Sequence, residues 1–195
     1  ESRGLGDVYK RQLKGNENSW GLIAKIFHWT IALLLFWQVG TGISLHNMEF
    51  SPLKIGIIGS HKIFGTIIFT LIVLRLLWRF YNNHPKYESL PQKHKIISSL
   101  VHAILYFLVV IIPVQGTYMT WLGGSDVSMF GLIEIPSFVE MDFILYQKHL
   151  KIHYYSAIIL TSVFTLHILA ALYHRFVIKD KYGVWKRMVS RQEKV

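Results

Sequence analysis

The sequence predicts an all-α membrane protein in which four transmembrane helices form an antiparallel bundle. Of its 195 residues, 52% are hydrophobic and only 16% are charged, and the mean hydropathy is +0.35. Since each span carries the chain across the membrane, consecutive helices run in opposite directions. Four apolar runs have the length that a bilayer requires, namely Leu22–Leu45, Ile55–Trp78, Ile96–Trp121 and Ile152–Ile178.

The net charge of +10 is distributed in a pattern that indicates membrane topology and argues against nucleic-acid binding. Most of the 21 Lys and Arg residues lie in the N-terminal segment, in the second connection with its flanking helix ends, or in the C-terminal tail. Because Lys and Arg accumulate in cytoplasmic segments, both termini are predicted to be cytoplasmic. We call that side inner and the opposite side outer. The outer side carries only Lys54, Lys62, Lys148 and Lys151.

The sequence divides into an N-terminal tail and one transmembrane domain, and the domain contains one long connection. Residues 1–18 are polar and patternless and are predicted to be a disordered or non-native tail without a function. Residues 19–195 are predicted to form one transmembrane domain that ends in a basic tail on the inner membrane surface. The outer connection of about residues 122–151 is expected to fold over the outer end as a short interfacial segment. Pro113 is expected to kink the third helix.

Four histidines inside the spans are the most informative polar residues, because an ionisable side chain within a membrane helix marks a functional site. The first span carries His28 near its inner end, and the second carries His61 near its outer end. The last span carries His153 near its outer end and His167 near its inner end, about 21 Å further along the helix axis. Fourteen residues make nearly four turns, so these two side chains lie on one face of the helix.

By depth, the histidines form an inner pair, His28 with His167, and an outer pair, His61 with His153. A zinc site normally needs three or four protein ligands, but the spans contain no acidic residue and the chain contains no cysteine. Two axial imidazoles complete the coordination of a haem iron, and such a six-coordinate haem suits electron transfer. The pattern therefore favours two haems, one in each pair. Two further histidines near the ends of the last span are alternative ligands, namely His149 and His174.

Three other residues are predicted to contribute to cofactor binding. Gly65 lies one turn after His61 and would leave room for a flat macrocycle, although a glycine there would also serve helix packing. Arg75 and Arg79 close the second span at the inner surface. Arg75 is predicted to pair with a haem propionate, the alternative being that both arginines are topology anchors. His102 begins the third span and is predicted to border the inner propionates or a quinone site.

The residues around these histidines resemble the bacterial cytochrome b561 family of di-haem membrane proteins, over about Trp20–Arg191. The resemblance implies a four-helix bundle in the bacterial cytoplasmic membrane, with two b-type haems bound by the same two pairs. It also favours His153 and His167 over the alternative ligands. The similar stretches are, in order, Phe27-His28-Trp29, His61-Lys62 with Gly65, VLRLLWR at 73–79, HAILY at 102–106, His153, Leu166-His167 and His174.

Members of this family pass electrons between a redox partner and a membrane quinone, and one type oxidises superoxide and reduces ubiquinone. The resemblance therefore implies an oxidoreductase or electron-transfer subunit of a respiratory chain. Its expected partners are membrane lipids, a quinone and an outer-side donor such as superoxide, with a homodimer or a partner enzyme as assemblies. Lys62 and Lys151 lie beside the outer pair and are predicted to attract an anionic substrate, unless they bind propionates or lipid headgroups.

Two other functions remain open from the residues. The first is an anchor subunit that passes electrons from a hydrogenase- or dehydrogenase-type enzyme to quinone, which is the role of related cytochrome b subunits. The second is a metal-ion transporter that uses membrane histidines, against which the lack of acidic residues in the spans argues. Haem content distinguishes the second from the haem proteins, and co-purification with a metalloenzyme favours the first.

Overall fold

The computed structural model describes residues 13–82, 85–86 and 89–189, and it confirms the predicted four-helix membrane architecture. All four long helices are sufficiently long and apolar to cross a membrane. The predicted tail of residues 1–18 lies largely outside the described residues, as do Arg191 and Lys194. The helices are α1 (Leu22–Asn47), α2 (Pro52–Tyr81), α3 (Gln92–Leu122) and α4 (Phe143–Leu172), and α4 continues as a π-helical turn, Tyr173–Val177.

N-terminal caps determine where α2 and α4 begin at the outer end of the bundle. Pro52 occupies the first turn of α2, and the Ser51 hydroxyl accepts a hydrogen bond from the Lys54 backbone N–H at 3.2 Å. At the start of α4, an Asp142 carboxylate oxygen accepts from the Leu145 N–H at 2.8 Å. The predicted start of this helix at Ile152 is therefore wrong, and the outer connection is shorter than expected. The apolar run marks only the part of α4 that crosses the membrane, whereas the cap sets where the helix begins.

The connection between α3 and α4 contains a small antiparallel sheet of β1 (Val127–Met129) and β2 (Ile133–Ile135). The segment expected to lie at the interface is thus a hairpin. Its turn has positive φ angles at Phe130 (59°) and Gly131 (72°), the backbone of a tight hairpin turn. The Phe130 N–H donates to the Thr66 hydroxyl at 3.1 Å, so the turn packs against the side of α2.

An apolar layer fills the centre of the bundle. Helix α1 packs against α2 and α3 against α4, while the rings of Phe36 and Phe164 join α1 to α4 at 5.1 Å between centroids. Helix α3 continues through Pro113 without interruption. Outward-facing apolar side chains such as Leu33, which is 70% exposed, are suited to contact with lipid. The buried layer consists of Ile31, Leu35, Ile68, Ile72, Leu108, Val109, Ile112, Leu160 and Phe164.

At the inner end, the N-terminal segment, the connection between α2 and α3 and the C-terminal tail contact one another. Lys86 forms an ion pair with Glu17 at 2.6 Å, and its carbonyl accepts from an Arg187 guanidinium nitrogen at 2.6 Å. The buried carboxylate of Asp180 accepts from two consecutive backbone N–H groups, beginning at Trp185, just before the short helix α5 (Lys186–Val189). The described part of the C-terminal tail therefore folds against the inner end of the protein's own bundle.

Candidate cofactor sites

The structure places His28 of α1 beside His167 of α4, and His61 of α2 beside His153 of α4. The ring centroids are 6.2 Å apart in the inner pair and 6.4 Å apart in the outer pair. The interplanar angle is 76° in both. Two imidazoles bound to opposite sides of one metal ion, through bonds of about 2 Å, have centroids roughly 6.3 Å apart. Both pairs therefore have the spacing that a shared metal ion between the rings requires.

The two pairs lie on opposite sides of the apolar layer. In α4, the buried residues Leu160 and Phe164 lie between His153 and His167. In α1, Ile31 and Leu35 follow His28 towards the outer end. The space between the two sites is therefore lined by apolar side chains.

The alternative ligands have other neighbours. The ring of His149 faces Tyr118 at 5.0 Å, and that of His174 faces His94 at 5.7 Å. In the described ring contacts, neither touches a member of the two pairs. Over the same part of the chain, no group of three or more His, Asp or Glu residues could hold a metal ion. The geometry thus agrees with the two-imidazole sites and offers no zinc-like cluster.

His102 is a third histidine at the inner level. Its ring centroid is 5.2 Å from that of His167, about 1 Å less than the spacing suited to two ligands of one ion. Its Nδ1–H donates to the carbonyl of Ser98 at 2.6 Å. His102 is therefore a neighbour of the inner pair, which is where the prediction that it borders the cofactor requires it to be.

Two glycines bring helix backbones against the rings of the outer pair. A Cβ added at Gly42 would lie 3.7 Å from Cε1 of His61, and one added at Gly116 would lie 3.4 Å from Cε1 of His153. A Cβ at Gly65 would instead meet Nε2 of Gln38 at 3.4 Å. Gly65 thus faces α1, as the helix-packing alternative expects, and its place beside a macrocycle remains a prediction.

Sequence reasoning missed the role of Gly116, because nothing local shows which helix faces His153. It also missed Thr41, a buried hydroxyl whose Oγ1 lies 2.9 Å from Nδ1 of His61. The run Gly40-Thr41-Gly42 is the available signal for this contact, since two small residues flank a polar one in the outer half of a span. By contrast, Nδ1 of His153 is buried without a hydrogen-bond partner.

Two arginines of α2 lie at the inner site. An Arg75 guanidinium nitrogen donates to Nδ1 of His28 at 3.1 Å. The guanidinium groups of Arg75 and Arg79 each lie 5.7 Å from the centroid of the Tyr106 ring. The ion pair at the inner end, described above, is the only one among the described residues, so neither arginine has a carboxylate partner there. Arg79 follows Arg75 by one helical turn, so both guanidinium groups reach the same ring.

The outer lysines differ in their surroundings. The Lys54 ammonium donates to the carbonyl of Met48 at 2.6 Å, which holds it at the connection between α1 and α2. Lys62 is half-buried and Lys151 is exposed. In the part of the chain that the structure describes, neither forms an ion pair with an acidic residue.

These residues fit a b-type haem. Each pair supplies two imidazoles at the spacing that a shared metal ion requires. Among the described residues no carboxylate joins them to complete a tetrahedral zinc site, and the chain contains no cysteine. Glycines at positions 42 and 116 allow the helix backbones to approach the rings of the outer pair closely. The two guanidinium groups that lack a carboxylate match the charge of haem propionates.

Comparisons with known proteins agree with this arrangement. A family model described as prokaryotic cytochrome b561 matches residues 19–191. Cytochrome b561 homolog 2 of Escherichia coli strain K12 is 23% identical over 185 residues, which cover 88% of this chain and 92% of that protein. A probable superoxide oxidase CybB of Yersinia pestis is 30% identical over 119 residues, which cover 60% of this chain and 66% of that protein. The match confirms the resemblance noted in the sequence.

Proposed function

The chain belongs to the prokaryotic cytochrome b561 family of transmembrane b-type haem electron-transfer proteins, and on that premise we propose that it carries electrons across the membrane through two bis-histidine haems. The electrons pass between an outer-side redox partner, with superoxide as the donor, and a membrane quinone. The observation that carries this proposal is the presence of two histidine pairs, 6.2 Å and 6.4 Å between centroids, on opposite sides of one apolar layer.

In this proposal, His28 and His167 hold the inner haem, and His61 and His153 hold the outer haem. The haems supply one-electron redox chemistry at iron. With two imidazoles to hold each haem, the protein's part would be to orient these ligands and to exclude water. In this proposal the apolar layer excludes water, and the contacts at each ring orient the ligands.

Arg75 and Arg79 are proposed to hold the inner propionates. A guanidinium group only donates hydrogen bonds, so Nδ1 of His28 is the acceptor in its contact with Arg75, and the ring proton is then on Nε2. Coordination of iron by Nε2 requires the proton on Nδ1. The Arg75 guanidinium must therefore turn to another acceptor when His28 binds iron, and a propionate is an acceptor of opposite charge.

The outer side is proposed to receive superoxide. Lys62 and Lys151 flank the outer pair in sequence, and neither has an acidic partner among the described residues. Positive charge at the mouth of a site raises the association rate of an anionic substrate. The name of the Yersinia pestis relative supports this substrate class. Two superoxide ions would each lose one electron and leave as O2.

The quinone is proposed to take those two electrons together with two protons, which yields the quinol. His102 is the candidate proton donor, because it lies 5.2 Å from His167 and belongs to the inner level. The distribution of Lys and Arg supports cytoplasmic termini, and in this proposal the protons come from that side. The membrane is proposed to be the bacterial cytoplasmic membrane.

The first test is the number of haems per chain in the purified protein, together with its reduced-minus-oxidised absorption spectrum. Two low-spin b-type haems are expected, one for each pair. One haem would mean that one pair does not bind haem. A folded sample without haem would mean that the histidines serve helix packing or metal transport.

In a second test, superoxide is added to the isolated protein with quinone present. Rapid haem reduction supports the superoxide reading, whereas slow reduction and co-purification with a metalloenzyme would favour an anchor subunit.

A further inference from the structure

We propose that Thr41 is a positioning residue that holds the proton of His61 on Nδ1 and thereby lowers the redox potential of the outer haem. The inference deepens the proposed function and rests on it, because it takes His61 as an axial ligand of the outer haem. Its basis is one buried cluster of hydrogen bonds in which Thr41 links the backbone of α1 to the imidazole of His61 in α2.

The direction of the Thr41–His61 hydrogen bond follows from the other contacts of the hydroxyl. Oγ1 of Thr41 lies 3.0 Å from the carbonyl oxygen of Trp37 and 3.1 Å from that of Gln38, in addition to 2.9 Å from Nδ1 of His61. A hydroxyl has one proton to donate, and carbonyl oxygens only accept. With two acceptors close to it, the hydroxyl proton bonds to the backbone. The contact with His61 must then use the proton of Nδ1, with Oγ1 as the acceptor.

This assignment prepares His61 to bind iron. A neutral imidazole carries one proton, so a proton held on Nδ1 leaves the lone pair of Nε2 free to coordinate. Thr41 is only 9% exposed, and its hydroxyl is tied to its own helix, so it holds the ring in one orientation. A hydrogen bond accepted from Nδ1–H also makes the imidazole a stronger electron donor, which favours ferric over ferrous iron.

The two histidines of the outer pair differ in whether their Nδ1 atom has a hydrogen-bond partner. Nδ1 of His61 has a partner, whereas Nδ1 of His153 is buried and has none among the described residues. A hydrogen bond at Nδ1 of an outer ligand therefore adjusts the redox potential of the outer haem through His61. A threonine that bonds to the carbonyl four residues earlier is common in helices and is by itself no evidence of function. The contact with the ring distinguishes Thr41 from such residues.

The chain contains a matched control for this difference. Thr120 of α3 also donates to the carbonyl four residues earlier, that of Gly116, at 2.9 Å. It is 5% exposed, close to the value for Thr41, and it lies in the outer half of the bundle. Within the part of the chain that the structure describes, its hydroxyl forms no hydrogen bond with a histidine ring. Removing this hydroxyl tests the general effect of losing a buried threonine.

The experiment compares Thr41→Val, Thr41→Ser and Thr120→Val with the wild type in the full-length haem-loaded protein. Valine keeps the shape of threonine without the hydroxyl, and serine keeps the hydroxyl. The measurements are haem per chain, the midpoint potentials of both haems by redox titration, and the electron paramagnetic resonance g-values of the ferric haems. We expect Thr41→Val to shift the outer haem about tenfold towards the ferrous form, a rise of about 59 mV for one electron. The inner haem, Thr41→Ser and Thr120→Val should match the wild type.

Loss of the outer haem in Thr41→Val, with its retention in Thr41→Ser, would also support the proposal. The proposal is overturned if Thr41→Val leaves the outer potential and g-values unchanged, if Ser and Val behave alike, or if Thr120→Val gives the same shift. His61→Ala separates this result from the proposed function. If that variant retains both haems, the ligand assignment itself is wrong. If it loses one haem while Thr41→Val has no effect, only the role of Thr41 fails.

Discussion

The close approach of α3 to His153 predicts that Gly116→Val weakens binding of the outer haem. A Cβ at this position would lie 3.4 Å from Cε1 and 3.7 Å from Nδ1 of His153, in ordinary van der Waals contact with the ring. Alanine is therefore tolerated with little movement. The γ-carbons of valine extend about 1.5 Å beyond Cβ, and valine in a helix has one strongly preferred rotamer, so it cannot turn both away from the ring.

The size of the effect follows from the cost of overpacking. Extra carbon atoms forced into a packed site cost about 1–3 kcal/mol. If the ring of His153 moves to relieve this contact, the same free energy is lost from haem binding. At about 1.4 kcal/mol for each factor of ten, the affinity for the outer haem should fall roughly 5- to 140-fold.

The assay is transfer of haem from the purified protein to an excess of apomyoglobin, with the two haems distinguished by their reduced-minus-oxidised spectra. Gly116→Val should lose the outer haem faster, while Gly116→Ala and the inner haem stay near the wild-type rate. Gly56→Val of α2 is the matched control, because a Cβ there meets nothing within 4 Å. Equal release from Gly116→Val and Gly56→Val would refute the packing argument.

Three further predictions concern the ligands, the outer charges and the start of α4. His61→Ala or His153→Ala should remove the outer haem and leave the inner one, so a haem count that falls to zero or stays at two would contradict the pairing. Neutralising Lys62 and Lys151 to Gln should slow haem reduction by superoxide in stopped-flow measurements. The effect should be larger at 0.01 M than at 1 M salt, because the Debye length falls from about 30 Å to about 3 Å; equal slowing at both would discard electrostatic steering. Asp142→Ala should cost about 1 kcal/mol of helix-cap stability and speed hydrogen exchange in the first turn of α4, and unchanged exchange there would show that the cap contributes nothing.

Depth along a helix is the property that sequence predicts best in this protein. Apolar runs located all four spans, and the rise of about 1.5 Å per residue placed each histidine at an inner or outer level. This local argument was sufficient to group His28 with His167 and His61 with His153 before any contact was known. It was less reliable at helix ends, where the cap at Asp142 extends α4 beyond its apolar run.

Contacts across helices depended on the tertiary structure. Rotation of each helix about its axis determines which neighbour meets a given ring, and that rotation results from the packing of all four helices together. Sequence spacing showed that Gly65 lies one turn after His61, but only the packing shows that Gly42 and Gly116 lie against the outer rings.

The same reason applies to the inner site and to the hairpin. Depth along α3 already placed His102 at the inner level, but its contact with the ring of His167 depends on how the helices pack. The packing likewise decides that the Arg79 guanidinium meets the ring of Tyr106. The hairpin turn at Phe130 contacts Thr66, 64 residues earlier in the chain. The sequence by itself determined the spans, the levels of the histidines and the family, because these depend on local composition and spacing. The partners of each ring were decided by the tertiary structure, because they depend on how four helices rotate against one another.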